Sequence, residues 1–324
     1  MQQMILSGSP HIRSNASVTK IMLDVIIALV PACIAGVYFF GPGTLTTIAL
    51  CIASAVGCEA AIQYFTKRDI AIKDLSAVLT GLLLALNLPP NVPWYLPVFG
   101  AAFAIIIVKQ CFGGLGHNFM NPALGGRAFL MISWPVAMTA FLVPNGGIDA
   151  ISTATPLAAL TNSSVEVATI GDLFFGNVAG CIGETSAFAL LIGGAYLLIK
   201  RIISFRIPGA YLGTVAVFAC LTALAAPGAT GSSVLETVLF HLLSGGVMLG
   251  AFFMATDYVT SPMNRNAQIV FGVGCGVVTM VIRLWGGYPE GVSFSILFMN
   301  LFAPLLDRAF KRKVFGEVRS VEEQ

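Results

Sequence analysis

Residues 21–65 read IMLDVIIALVPACIAGVYFFGPGTLTTIALCIASAVGCEAAIQYF. Asp24 and Glu59 are the only charged side chains in this stretch, and Gly41-Pro42-Gly43 separates two apolar runs. A helix rises about 1.5 Å per residue, so ~20 apolar residues match the ~30 Å hydrocarbon core of a bilayer. The stretch therefore reads as two membrane spans joined by a tight turn, and the rest of the chain repeats the pattern. Of the 324 residues, 57% are hydrophobic and 10% are charged, against roughly 25% charged in a soluble domain. A globule keeps much of its area at the surface, so a water-soluble fold has no way to hide this composition. The expected fold class is an all-α integral membrane protein embedded in the lipid bilayer.

Working outward, spans are expected near residues 21–40, 44–65, 74–90, 94–111, 123–143, 177–199, 209–226, 233–256, 267–285 and 291–307. LNLPPNVPW at 86–94 ends the third, because proline cannot continue a helix. The polar N-terminus lacks an early apolar run and a small-residue cleavage site, so no cleaved signal peptide is expected. With both termini in the cytoplasm, sixteen of the seventeen Lys and Arg residues fall inside and only Arg283 lies near the outer face. Ten spans with this bias give residues 1–20 as a cytoplasmic segment and 21–143 as a first five-helix repeat. Residues 144–176 form an extracytoplasmic loop, 177–307 a second five-helix repeat, and 308–324 a cytoplasmic tail.

Five is odd, so the second repeat runs opposite to the first, the geometry of an inverted repeat. LLLALNLPPNVP at 82–93 matches FFMATDYVTSPMN at 252–264 in place, and GLGHNFMNPAL at 114–124 matches GGYPEGVSFSI at 286–296. Each half then offers two polar breaks, and irregular backbone is tolerated at membrane depth only where protein or a cavity covers it. These breaks are candidate sites for a bound polar molecule, with ordinary loops as the alternative.

Seven cysteines are scattered without a CxxC pair, which argues against a zinc or iron–sulfur site held within this chain alone. A single cysteine sharing a cluster with a partner stays open. The net charge of +2 gives no reason to expect nucleic acid. The sequence has no nucleotide-binding loop and no hydrolase triad.

The loop at 144–176 lacks Lys and Arg and carries Asp149-Ala150-Ile151-Ser152-Thr153-Ala154-Thr155-Pro156-Leu157. On chemistry alone this is a Ser/Thr-rich turn. It resembles the flavinylation motif Asp-x-x-Ser/Thr-Gly-Ala-Thr/Ser, with Asp149, Ser152, Ala154 and Thr155 matching and Thr153 standing where glycine is usual. The flanking GHNFMNPALGGRAFLMISWP, GETSAFA, FMATDYVTSP and GGYPEGVSFSILFMN resemble, in the same order, the family that includes RnfD and NqrB, and the Rnf-type members more closely. The resemblance covers nearly the whole chain.

It implies a membrane subunit of an Rnf complex, a translocase passing electrons between ferredoxin and NAD while moving Na⁺ or H⁺ across a prokaryotic cytoplasmic membrane. It implies FMN joined to Thr155 by a phosphodiester on the extracytoplasmic side, attached by a flavin transferase that uses FAD. A second, non-covalent flavin, riboflavin, is implied as well. The other Rnf subunits are the implied partners, because the chain has no soluble domain for ferredoxin or NAD.

Other polar residues fall into groups. Arg283 either neutralises the phosphodiester, anchors at lipid headgroups or pairs with Glu290. Glu184-Thr185-Ser186 opens the sixth span, where an acid is costly and so a functional candidate; contact with the flavin, an ion path and an interfacial acid are all open. On the inner side, Asn118, Asn121 and Arg127 near one break, with Asp257 near the other, are candidates for the second flavin or for subunit contacts. Helix capping is the alternative for Asn121 and Asp257. Asp24 and Glu59 fit an ion path or helix contacts, and His241 fits a helix–helix hydrogen bond better than a ligand. Two further function classes stay open: a solute channel or secondary transporter, since broken helices in repeats are its architecture, and a scaffold holding partner subunits.

Overall fold

The computed structural model describes residues 17–68, 72–144, 152–153, 155–161, 168–225, 230–286 and 290–310. Among the described residues the chain is helical, with one two-stranded ladder. Its main elements are α1 Val18–Phe40, α2 Gly43–Phe65, α3 Ser76–Leu86, α4 Tyr95–Gln110, α5 Pro122–Ser133, β1 Phe141–Leu142 and β2 Ser152–Thr153. They continue as α6 Pro156–Thr161, α7 Ala187–Ile199, α8 Arg206–Leu224, α9 Gly231–Leu243, α10 Val247–Met254, α11 Arg265–Trp285 and α12 Val292–Ala309.

Among the described residues, α1, α2, α8, α11 and α12 are each long and apolar enough to cross a membrane, and α9 with α10 makes a sixth span bent by 62°. Large apolar side chains such as Tyr38, Phe65, Ile199 and Trp285 stand exposed on the outside, as expected where the solvent is lipid. Inside, small residues bring backbones close. A Cβ at Gly272 would lie 2.8 Å from the Ile207 carbonyl oxygen and one at Gly276 3.0 Å from that of Tyr211, so α8 and α11 cross at a small-xxx-small contact. There Tyr211, Thr279 and Ser295 share hydroxyl hydrogen bonds, with Tyr211–Thr279 at 2.6 Å.

Four expected spans differ from unbroken helices. The third is helical only to Leu86 because Asn87, Pro89 and Pro90 follow. The fifth stops at Ser133, since Pro135 disfavours helical geometry at Trp134. The sixth begins at Ala187 rather than 177; its entry, rich in Gly176, Gly180 and Gly183, is irregular. The eighth breaks at Ser244-Gly245-Gly246, with Gly245 at φ +64°. Two of these irregular stretches satisfy each other, because Gly183 and Ile182 donate their N–H groups to the Leu86 and Leu88 carbonyls at 2.8 and 3.0 Å. Two π-helical turns, Ala104–Gln110 and Gly250–Met254, end α4 and α10; such turns re-aim side chains within a span.

Candidate functional site

The threonine singled out by the motif is held by local pairing. Phe141 and Leu142 of β1 pair antiparallel with Thr153 and Ser152 of β2, and Thr155 follows at the start of α6. Its Oγ accepts the Ala158 N–H at 3.3 Å. Thr155 is buried and lines a small cavity with Glu184, Thr185, Gly180, Gly245 and Glu290, with room for a single water-sized occupant. Asp149 and Ala154 lie outside the described residues, and of Ser152 only the backbone is described. Within Glu184-Thr185-Ser186 the roles divide. Ser186 caps α7 by accepting the Ala189 N–H at 3.3 Å, whereas Glu184 and Thr185 face the cavity.

Arg127 was expected beside Asn118 and Asn121; it sits elsewhere. Placed in the second turn of α5, its guanidinium donates through Nη1 to Glu184 Oε1 at 2.7 Å and to Asn87 Oδ1 at 2.6 Å. Nη2 donates to Glu290 and reaches Cys181 Sγ at 3.5 Å. The helix geometry explains the difference: Asn121 and Arg127 are six residues apart, about 9 Å along the axis, so the two belong to different depths. Glu290 thus pairs with Arg127 and not with Arg283. Arg283 donates to the His241 and Ser244 carbonyls at 2.7 and 2.9 Å and closes the broken end of α9. The packing is tight, since a Cβ on Gly246 would come within 2.4 Å of Glu184 Oε1.

The inner residues meet at a second, larger cavity of about 830 Å³ counting the open solvent at its mouth. Asn118, Asn121 and Asp257 line it, together with Lys109, Phe252 and Tyr258. The capping alternative holds for Asn121, which accepts from Ala123 and Leu124 at the start of α5; Asp257 caps no helix and accepts from Thr260 at 3.0 Å within a turn. Asn121 also donates to the Met254 carbonyl at 3.3 Å, and Asn118 to that of Met120 at 3.1 Å. On the cavity wall the buried Lys109 pairs with Glu59 at 2.7 Å and donates to Ser76 at 2.6 Å, so Glu59 is one half of an ion pair. Asp24 is a helix contact, accepting from Tyr196 at 2.9 Å. The Nδ1 of His241 has no partner among the described residues.

Sequence reasoning missed Asn87, Cys181 and Lys109. It counted Arg127 and Lys109 as cytoplasmic charges, although both are buried. A signal was present: Glu184 and Glu59 within spans each demand a buried cation, and those two lie nearest to apolar sequence.

Comparison with known proteins agrees with the residues. The model of the NQR2, RnfD, RnfE family matches residues 5–316. The chain is 51% identical to the D subunit of the Na⁺-translocating ferredoxin:NAD⁺ oxidoreductase complex of Acetobacterium woodii, over 98% of this chain and 97% of that one. It is 45% identical to the D subunit of the proton-translocating ferredoxin:NAD⁺ oxidoreductase complex of Clostridium ljungdahlii, over 97% and 96%. It is 40% identical to the D subunit of the ion-translocating oxidoreductase complex of Stutzerimonas stutzeri, over 93% of each. The chain belongs to the NQR2, RnfD, RnfE family.

Proposed function

We propose that this chain is the D subunit of an Rnf-type complex that couples electron transfer between ferredoxin and NAD to Na⁺ or H⁺ translocation, with FMN carried on Thr155. The observation that carries the proposal is the setting of Thr155: a buried hydroxyl fixed behind a strand ladder, opening on a cavity with unpartnered polar atoms. These residues fit the link. The cavity is too small for a flavin ring, so it suits the attachment oxygen alone. Bound flavin would supply one-electron steps, and the protein supplies its position and electrostatics. The transfer uses FAD: the Thr155 Oγ–phosphorus bond forms as the pyrophosphate bond of FAD breaks, AMP leaves and the hydroxyl proton is released.

The inner cavity is the proposed site of a second, non-covalent flavin of riboflavin type, with Lys109, Asn118, Asn121 and Asp257 contributing polar groups to its wall. The finer topology belongs to the same reading. It comprises ten crossings in two inverted repeats, both termini in the cytoplasm, the Thr155 loop outside and the other Rnf subunits around it.

The test is in-gel fluorescence after denaturing electrophoresis, with each protein co-expressed with an FAD-dependent flavin transferase. Wild type gives a fluorescent band, Thr155→Ala a dark one and Thr155→Ser a fluorescent one. A dark wild-type band, with the transferase active on a control protein, would sink the proposal and favour the transporter reading that the broken helices also suit.

A further inference from the structure

Three features of the inner cavity would ordinarily attract a phosphate, and each is already answered from within the chain. The first is Lys109, the cation on its wall. The π-helical turn that ends α4 carries it there, 2% exposed, and its Nζ meets the Glu59 carboxylate at 2.7 Å and the Ser76 hydroxyl at 2.6 Å. The second is the N-terminus of α5, which borders the cavity through Pro122 and Ala123. Free N–H groups at a helix start make an anion seat, but those of Ala123 and Leu124 donate to Asn121 Oδ1 at 3.0 and 3.4 Å. The third is the N-terminus of α3, where Ser76 borders the cavity. Its N–H and its hydroxyl both donate to Asp74 Oδ1, at 2.9 and 2.8 Å.

Charge on the wall then tips one way. Lys109 and Glu59 cancel at short range, and Asp257 is left as the remaining charged group among the lining residues. Its carboxylate accepts from the Thr260 hydroxyl at 3.0 Å and from the Val259 N–H at 3.5 Å. Among the described residues no cation lies within ion-pair distance of it. Lys20 and Arg201 adjoin lining residues in sequence but stand exposed, where solvent and salt screen them. A carboxylate beside a partly enclosed, largely apolar space repels a second anion far more than it would in water. Riboflavin is uncharged, whereas the phosphate of FMN adds roughly −1.5 to −2 at neutral pH. The ring and ribityl chain are common to both, so charge is what tells them apart.

On the second-flavin reading above, we infer that the inner cavity selects a flavin without a phosphate, and that Asp257 is the specificity-determining residue that turns away FMN and FAD. The two centres then never compete for one flavin. The phosphate that attachment at Thr155 requires is the group that bars that flavin from the inner cavity.

The test uses the full-length chain in detergent, produced without the flavin transferase so that Thr155 is bare. Protein is incubated with equal, saturating riboflavin and FMN, freed of excess ligand by gel filtration and denatured, and the released flavins are separated by chromatography. Wild type is expected to retain riboflavin over FMN by roughly tenfold or more, and Asp257→Asn, which keeps an acceptor for Thr260, to reduce that preference by roughly tenfold. Asn118→Leu is expected to lower retention of both flavins and leave their ratio unchanged. A competition with riboflavin 5′-acetate, which extends the same hydroxyl without a charge, needs no substitution. The ester is expected to compete for wild type as riboflavin does. Its exclusion as strong as that of FMN overturns the inference, because bulk and not charge would then select. An Asp257→Asn that holds riboflavin and still rejects FMN as wild type does overturns it too, as does a wild type that takes both flavins alike. A wild type that retains neither flavin overturns the second-flavin reading itself.

Discussion

The molecule has two polar centres, and they solve the same problem in opposite ways. The outer centre places Arg127 between Glu184 and Glu290, packs Gly246 against the carboxylate and leaves room for one small occupant. The inner centre pairs Lys109 with Glu59 on the wall of a larger cavity that opens to solvent. A planar guanidinium forks across two acceptors and fixes their geometry, whereas an ammonium acts as a compact point charge. The outer centre is thus the rigid one, which suits the covalent attachment proposed at Thr155, and the open inner one suits the exchangeable ligand proposed there. The contrast can be broken by removing each cation in turn.

The largest effect is expected at Arg127. Arg127→Met leaves two buried carboxylates facing each other, a loss of about 3–5 kcal/mol, and detergent-solubilised protein should aggregate or melt far below wild type. Adding Glu184→Gln and Glu290→Gln should recover most of the folded peak in fluorescence-detected size exclusion. If Arg127→Met alone is as stable as wild type, the outer centre is not the rigid one. Lys109→Met is expected to cost less, about 3 kcal/mol, because it leaves a single carboxylate, to which Gln110 still donates at 2.7 Å. The ratio of the two melting shifts measures the contrast directly.

At the inner cavity, Asn118→Leu removes a polar group from the wall without touching a helix cap. Non-covalent flavin released on denaturation should bind about tenfold more weakly, the worth of one hydrogen bond, while the covalent band stays. Equal release from wild type and variant would move the second flavin elsewhere. Asn121 is a poorer probe, since it also caps α5, and its loss costs about 1 kcal/mol of stability on its own account.

These centres were unequally legible in the sequence. Length, apolar runs and prolines located every long helix among the described residues, because hydrophobic periodicity and chain-stopping residues act locally. The motif singled out Thr155, and the inner polar breaks brought Asn118, Asn121 and Asp257 to one cavity. Arg127 was misread for a physical reason. A buried arginine and a loop arginine look alike in sequence, and what distinguishes them is a pair of carboxylates 57 and 163 residues further on. The broken entry to α7 was likewise hidden, since its satisfaction depends on the carbonyls of Leu86 and Leu88 in the other half of the chain.

The smallest expected effect concerns Thr153, the one departure from the motif. Glycine usually stands where a backbone shape excludes side chains, which would make threonine a defect. Here Thr153 lies in β2, paired with Phe141, and an extended backbone is open to any residue and favours β-branched ones. The departure is therefore neutral for presenting Thr155. Thr153→Gly should leave flavin loading unchanged and lower stability by about 0.5–1 kcal/mol through lost strand preference. A clear rise in loading with Thr153→Gly would mean that the transferase reads Thr155 from a different backbone shape, and that the ladder must open before the flavin is attached.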